Sequence, residues 1–335
     1  MKIDVGINVA LRDAGAEAKR IEAAGYDGAF SFEIAHDPFL PLALAATQTK
    51  RIALGTAIAV AFARNPMSLA VTASDLHRLS GGRLILGLGS QIKPHITKRF
   101  SMPWSQPARR MRELILAMRA IWAAWHDGTP LRFRGEFYRH TLMTPMFDQG
   151  PSPCGDPRIF LAAVGPEMTA VAGEVADGLV AHAFTTPEYF RAVTLPNLER
   201  GLAASGRSRA DVEITMPVFV VTGRDEAEVE AKAVATRQQL AFYGSTPAYR
   251  GVLEHHGWGE LGDELNRLSK QGEWQRMGAL IDDEVLQAFA VVGDPAGAAK
   301  QLRDRYGGLL DRVLLGLAGD DHEADAAFVE ALRDA

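Results

Sequence analysis

Glu33 and His36 lie three positions apart in Phe32-Glu33-Ile34-Ala35-His36-Asp37-Pro38, just past an apolar run. A carboxylate and an imidazole so placed are candidates for a proton-transfer pair beside a cofactor or substrate. The same residues also read as a cap followed by a His-Asp-Pro turn, and spacing alone leaves both readings open. A second polar group follows Gly82-Arg83-Leu84-Ile85-Leu86-Gly87-Leu88-Gly89, whose later glycines let a flat ligand approach the backbone. Ser90, Gln91, Lys93 and His95 come directly after it, and His95 is a third acid–base candidate. Further on, Val164-Gly165-Pro166-Glu167-Met168-Thr169 is a helix start whose N–H groups and dipole suit a phosphate. Pro166 has no N–H, so the donors would come from Gly165, Glu167, Met168 or Thr169.

Other chemistries find little support. His255-His256 lacks the C-x-x-C or H-E-x-x-H company that zinc needs, so no metal site is expected. Neither a G-x-S-x-G elbow nor a P-loop is present. Lys93, Lys98, Arg99, Arg109 and Arg110 form a local basic cluster that reads either as a hold for an anionic tail or as a solvated face. The 335 residues are 47% hydrophobic and 23% charged, with a net charge of −5, as in a soluble globular protein. That charge argues against an electrostatic grip on nucleic acid or an anionic membrane. The single cysteine, Cys154, permits no internal disulfide and fits a reducing compartment. No apolar run would span a bilayer, and Met1-Lys2-Ile3-Asp4-Val5 reads directly as a strand, so a cytoplasmic protein is expected.

The elements that must position these residues alternate in type. Strands are predicted at 3–8, 27–32, 52–58, 84–88, 158–162, 178–181, 213–221 and 312–317, with helices between them. The helix over 109–125 is strongly amphipathic, carrying Met111, Leu114, Ile115, Met118, Ile121, Trp122 and Trp125 at helical spacing. A hairpin turning near Gly135 and a proline-rich stretch make 128–157 an insertion, and 245–284 reads as a second, mostly helical one. Eight strands with helical crossovers predict a (β/α)8 TIM barrel forming one domain over 1–335, its site at the carboxyl ends of the strands.

Several segments, in order, resemble the luciferase-like monooxygenase superfamily, in its branch of oxidoreductases using coenzyme F420, a deazaflavin. They are Glu22-Ala-Ala-Gly-Tyr-Asp-Gly-Ala29, His36-Asp-Pro-Phe39, Leu54-Gly-Thr-Ala-Ile58, Arg64-Asn65-Pro66 and Leu79-Ser-Gly-Gly-Arg-Leu-Ile-Leu-Gly-Leu-Gly89. Gly165-Pro166, Ala172-Gly-Glu-Val-Ala-Asp-Gly178 and Val292-Gly-Asp-Pro295 complete the set.

The resemblance implies a bacterial luciferase-like barrel, usually a homodimer, with the ring system at the strand ends. It implies a non-proline cis peptide at Ala57–Ile58 propping the ring. Glu33 would lie beside the ring, and Gly89, Ser90 and Gln91 near it after the fourth strand. Gly165, Glu167, Met168 and Thr169 would lie at the cofactor phosphate. The activity implied is hydride transfer between the deazaflavin C5 and a small organic substrate, with Glu33, His36 or His95 as the proton-transfer group. FMN with oxygen chemistry is the enzymatic alternative, and a flavin- or deazaflavin-binding barrel without turnover is the other. Relatives acting on sugars or alcohols carry an Asp-His pair where this chain has Glu33 and His36, and an acidic residue where it has Gln91. Phe62, Phe100, Trp104 and Phe184 are apolar candidates around the pocket.

Overall fold

The computed structural model describes residues 1–315 and 322–334. The end of the strand expected over 312–317 lies outside them, as does the first residue of a closing helix that the sequence places over 321–333. Eight barrel strands are described: β1 (Lys2–Gly6), β2 (Gly28–Ser31), β3 (Ala53–Thr56), β4 (Leu84–Gly89), β5 (Arg158–Ala163), β6 (Gly178–Ala181), β7 (Glu213–Pro217) and β8 (Arg312–Leu315). Their order is β3-β2-β1-β8-β7-β6-β5-β4, and β3 also pairs with β4, so the ring closes as the expected (β/α)8 barrel. Every residue of β2, β4, β6 and β8 is buried, and apart from Ser31 and Arg312 these strands carry no polar side chain, as strands covered on both faces require.

Two compact units make up the chain. One holds residues 4–180 and 197–213. Its core includes Leu42, Leu54, Leu69, Leu86 and the whole apolar stripe expected on helix Pro107–Asp127, from Met111 to Trp125. The other unit holds residues 1–3, 181–196 and 214–335, and packs Phe184, Phe219, Leu240, Leu253, Leu265, Leu286 and Phe289 together. No helix among the described residues is long and apolar enough to cross a membrane.

Carboxylates set the strand starts. Asp177, just before β6, accepts from the Ile159 N–H of β5 at 2.7 Å, and Asp311, just before β8, accepts from Ile214 of β7 at 2.7 Å. Glu22 accepts from the N–H groups of Lys50, Arg51 and Ile52 at 3.0, 2.6 and 3.1 Å, fixing the entry to β3. Burial opposes the Glu22 charge, but those donors outweigh it and hold its pKa below the ordinary glutamate value.

Some expectations need correction. The expected 213–221 strand breaks after Pro217, and Phe219–Val221 pairs instead with Ala290–Val292, a strand that periodicity did not reveal. Proline has no N–H for a ladder, so a change of partner there is economical. The hairpin pairs Phe133–Arg134 with Arg139–His140, so its second arm begins later than read. The helix between β6 and β7, which the sequence places over 187–204, is interrupted by a π-turn at Phe190–Thr194. The 245–284 segment is helical, at Arg250–His255, Gly259–Ser269 and Trp274–Gly278.

Candidate active site at the strand ends

Glu33 follows β2 by two residues, and its side chain is only 6% exposed. One oxygen, Oε2, accepts from the Val60 N–H at 2.7 Å and from Arg64 Nη1 at 2.6 Å. Arg64 Nη1 also donates to Val60 O at 3.1 Å, and Nη2 to Asp37 Oδ2 at 3.2 Å. Its guanidinium lies 5.2 Å from the Phe39 ring centroid. Asp37 Oδ1 in turn accepts from Phe39 N at 2.8 Å, starting helix Phe39–Gln48. The turn reading of His36-Asp37-Pro38 therefore describes Asp37. His36 is exposed, and the Glu33 carboxylate is taken up by Arg64 and Val60 rather than by His36.

Beyond β3 the chain bulges. Leu54 and Gly55 pair with Leu84 and Ile85, and Ala59 and Val60 pair with Leu88 and Gly89. Three residues, 56–58, thus face two, 86–87, and the Ala57–Ile58 peptide within them is cis. Two glycines of β4 make room. A Cβ on Gly87 would lie 1.8 Å from Thr56 O, and one on Gly89 would lie 2.7 Å from Ile58 Cδ1. Thr56 Oγ1 donates to Gly87 O at 2.6 Å, fastening the bulge to β4.

Ser90 and Gln91 follow β4 directly. Ser90 Oγ donates to Gln91 O at 3.1 Å, and Gln91 Oε1 accepts from Ile92 N at 3.0 Å. Gln91 has φ of 58°, a left-handed conformation that non-glycine residues adopt at a cost and that clusters at functional sites. A π-turn, His95–Arg99, follows, with Ile96 buried and His95 exposed. Arg99 Nη2 donates to Ile34 O at 2.6 Å, tying this loop to the one after β2. The basic cluster disperses: Arg109 pairs with Glu136, and Arg110 is buried over Phe62 and Tyr138, bonded to Pro103 O. Phe62 meets the edge of Trp104 at 5.8 Å.

After β5, helix Pro166–Val175 starts at Gly165 without a side-chain cap. Thr169 donates both its N–H and its hydroxyl to Gly165 O, each at 3.0 Å, so its donors are spent. Among the described residues the Glu167 and Met168 N–H groups, in the first turn, have no backbone acceptor. A Cβ on Gly165 would meet nothing within 4 Å, so the approach is open. Arg200 Nη2 sits at this end, bonded to Glu167 Oε1 at 2.8 Å and Pro166 O at 3.2 Å.

Residues 3–312 match the luciferase-like monooxygenase family. The chain belongs to that family. It is 58% identical over 314 residues to Mycobacterium tuberculosis Rv1360, an uncharacterized protein, covering 94% of this chain and 92% of that one. It is 31% identical over 304 residues to the putative coenzyme F420-dependent oxidoreductase Rv3520c of the same species, covering 84% of each. Among solved structures, the coenzyme F420 dependent tetrahydromethanopterin reductase of Methanopyrus kandleri superposes with a TM-score of 0.80, at 23% identity over 98% of this chain and 96% of that one. A type II Baeyer–Villiger monooxygenase component from Pseudomonas putida, in complex with FMN, gives 0.69 at 16% identity, over 99% and 95%. Both share the fold.

In this luciferase-like chain the other unit has its own residue at a strand end. His182 directly follows β6, stacked on Tyr249 at 4.3 Å and edge-on to Tyr243 at 4.8 Å. Its Nδ1 accepts from Phe184 N at 3.0 Å, which leaves the proton on Nε2 in the neutral ring. Burial lowers its pKa to about 4. Phe184, expected near the pocket, stacks on Phe289 in this unit's core. Between pH 6.5 and 4 the unfolded chain takes up the His182 proton and the folded chain does not. Stability is therefore expected to fall by up to about 3 kcal/mol as pH drops through that window. Denaturant titrations from pH 7.5 to 4.5 should show this loss shrinking in His182→Gln.

His255 and His256, set aside as metal ligands, have other roles. His256 Nε2 is 2.7 Å from Thr186 Oγ1, and its ring stacks on Trp258. Sequence reasoning gave no role to Arg83 or Arg200, and named Arg64 only within the Arg64-Asn65-Pro66 motif. Asn65 Oδ1 caps helix Pro66–Leu79 through Ser68 N at 2.9 Å, so the residue before it has a rigid base.

Proposed function

We propose that the protein is an F420-dependent oxidoreductase that moves a hydride between the deazaflavin C5 and a small organic substrate. The observation that carries the reading is the 31% identity, over 84% of each chain, to a putative coenzyme F420-dependent oxidoreductase. The strand ends fit such a group: Ile58 lies over Gly89 on a bulge that glycines accommodate, and the helix at Gly165 opens with two available N–H groups. When bound, the deazaflavin supplies a two-electron hydride donor or acceptor. The chain's part is to seat the ring against Ala57, Ile58, Gly89, Ser90 and Gln91, and to hold the phosphate with Gly165, Glu167 and Met168. Glu33 accepts a hydrogen bond at the ring or substrate. Proton transfer falls to His36 or His95, the exposed imidazoles of the two loops. The reading includes a homodimer working in the cytoplasm.

Parallel fluorescence titrations with F420 and FMN test this. Saturable F420 binding with negligible FMN binding is expected. Preference for FMN would overturn the deazaflavin reading in favour of a monooxygenase. Binding without turnover, unaffected by His36→Ala and His95→Ala, would point to a carrier barrel.

A further inference from the structure

We propose that Arg64 is a positioning residue that fixes Glu33 so that its Oε1 is presented to the bound cofactor or substrate. This rests on the reading of the strand ends as a deazaflavin site. Glu33 Oε2 is committed twice, to the Val60 N–H and to Arg64 Nη1. Among the described residues Oε1 has no such bond, so it is the oxygen left to accept from a ligand N–H or O–H. Two donors on Oε2 restrict rotation of the carboxylate, so Oε1 is presented over a narrow range of directions. Arg64 closes a ring of hydrogen bonds, because Nη1 also donates to Val60 O. The clamp therefore couples the loop after β2 to the bulge after β3, the two segments that would contact the ring.

The guanidinium is held from several sides. Asp37 Oδ2 accepts from Nη2, and the Phe39 ring lies against the cation. Its backbone is anchored by the Asn65 cap and by Pro66 at the first helical position. Lysine has the charge but a single ammonium, so it cannot reproduce the planar fork that spans Glu33, Val60 and Asp37.

Two measurements separate this proposal from the reading beneath it. The first is hydrogen exchange at the Val60 amide in the ligand-free protein, which reads the clamp without any cofactor. Arg64→Met is expected to speed that exchange at least tenfold, with Arg64→Lys between it and the parent. The second is the F420 dissociation constant. Arg64→Met and Glu33→Gln are each expected to weaken binding about tenfold, and the double variant little further, because both break one unit. Unchanged Val60 exchange in both Arg64 variants overturns the clamp. Additive effects on F420 affinity overturn the positioning role. Faster Val60 exchange in a protein whose parent binds neither F420 nor FMN would leave the clamp standing and overturn its assignment to a cofactor. If Arg64→Met fails to fold, Arg64→Lys and Glu33→Gln carry both measurements.

Discussion

Gly87→Ala is expected to destabilise the protein by about 3 kcal/mol or more, beyond the usual range for adding one methyl to a core. The methyl would lie 1.8 Å from Thr56 O, a backbone atom that no rotamer change can move. Relief requires the bulge to move away from β4, which breaks the Thr56 hydroxyl bond to Gly87 O and disturbs the surface on which Ile58 rests. The loss should therefore appear in the denaturation midpoint and, on the proposed deazaflavin reading, in F420 affinity as well. Gly165→Ala is the matched control: its φ is −88° and its Cβ would meet nothing within 4 Å, so stability should be unchanged. An alanine at 87 tolerated without loss would show that the bulge is not locked against β4.

Arg83→Met should cost roughly 3–4 kcal/mol, through unsatisfied acceptors rather than through sterics. The Arg83 guanidinium makes five hydrogen bonds: to Ser80 O (2.7 Å), Thr49 Oγ1 (2.9 Å), Ile52 O (2.8 Å), Thr49 O (3.0 Å) and Ala46 O (3.4 Å). It thereby gathers the end of helix Phe39–Gln48, the entry to β3 and the turn before β4. Burial pulls its pKa down and the Glu22 charge pushes back, with a net lowering. Methionine would keep much of the apolar stem and leave those carbonyls without their donor. Arg83→Lys, able to reach only some of them, should fall between. Urea denaturation of the three proteins measures this, and an Arg83→Met midpoint equal to the parent's would contradict it.

The sequence by itself determined the barrel. Alternation of buried strands with helices is written in local periodicity, because a strand covered on both faces must be apolar throughout, as in Leu84–Gly89. It also marked where chemistry could sit, since the polar residues crowd just past the strands. The family pattern named the Ala57–Ile58 peptide, and the structure has it cis. Pairing between distant segments was not legible. Glu33 and Arg64 are separated by 31 positions, and nothing local shows that one takes up the other's carboxylate oxygen. Ala290–Val292 reads as a strand only beside Phe219–Val221, since three apolar residues have no period of their own. Thr169 is of the right type and position for a phosphate donor, yet its N–H and hydroxyl are both spent on Gly165 O within the first turn of the helix. Gly87 looked like room for a ligand, yet the atom in that space is Thr56 O. Residue type and spacing set which groups were available. Which of them stayed free was decided by tertiary hydrogen bonds, because a donor or acceptor satisfied within the fold has little left to offer a ligand.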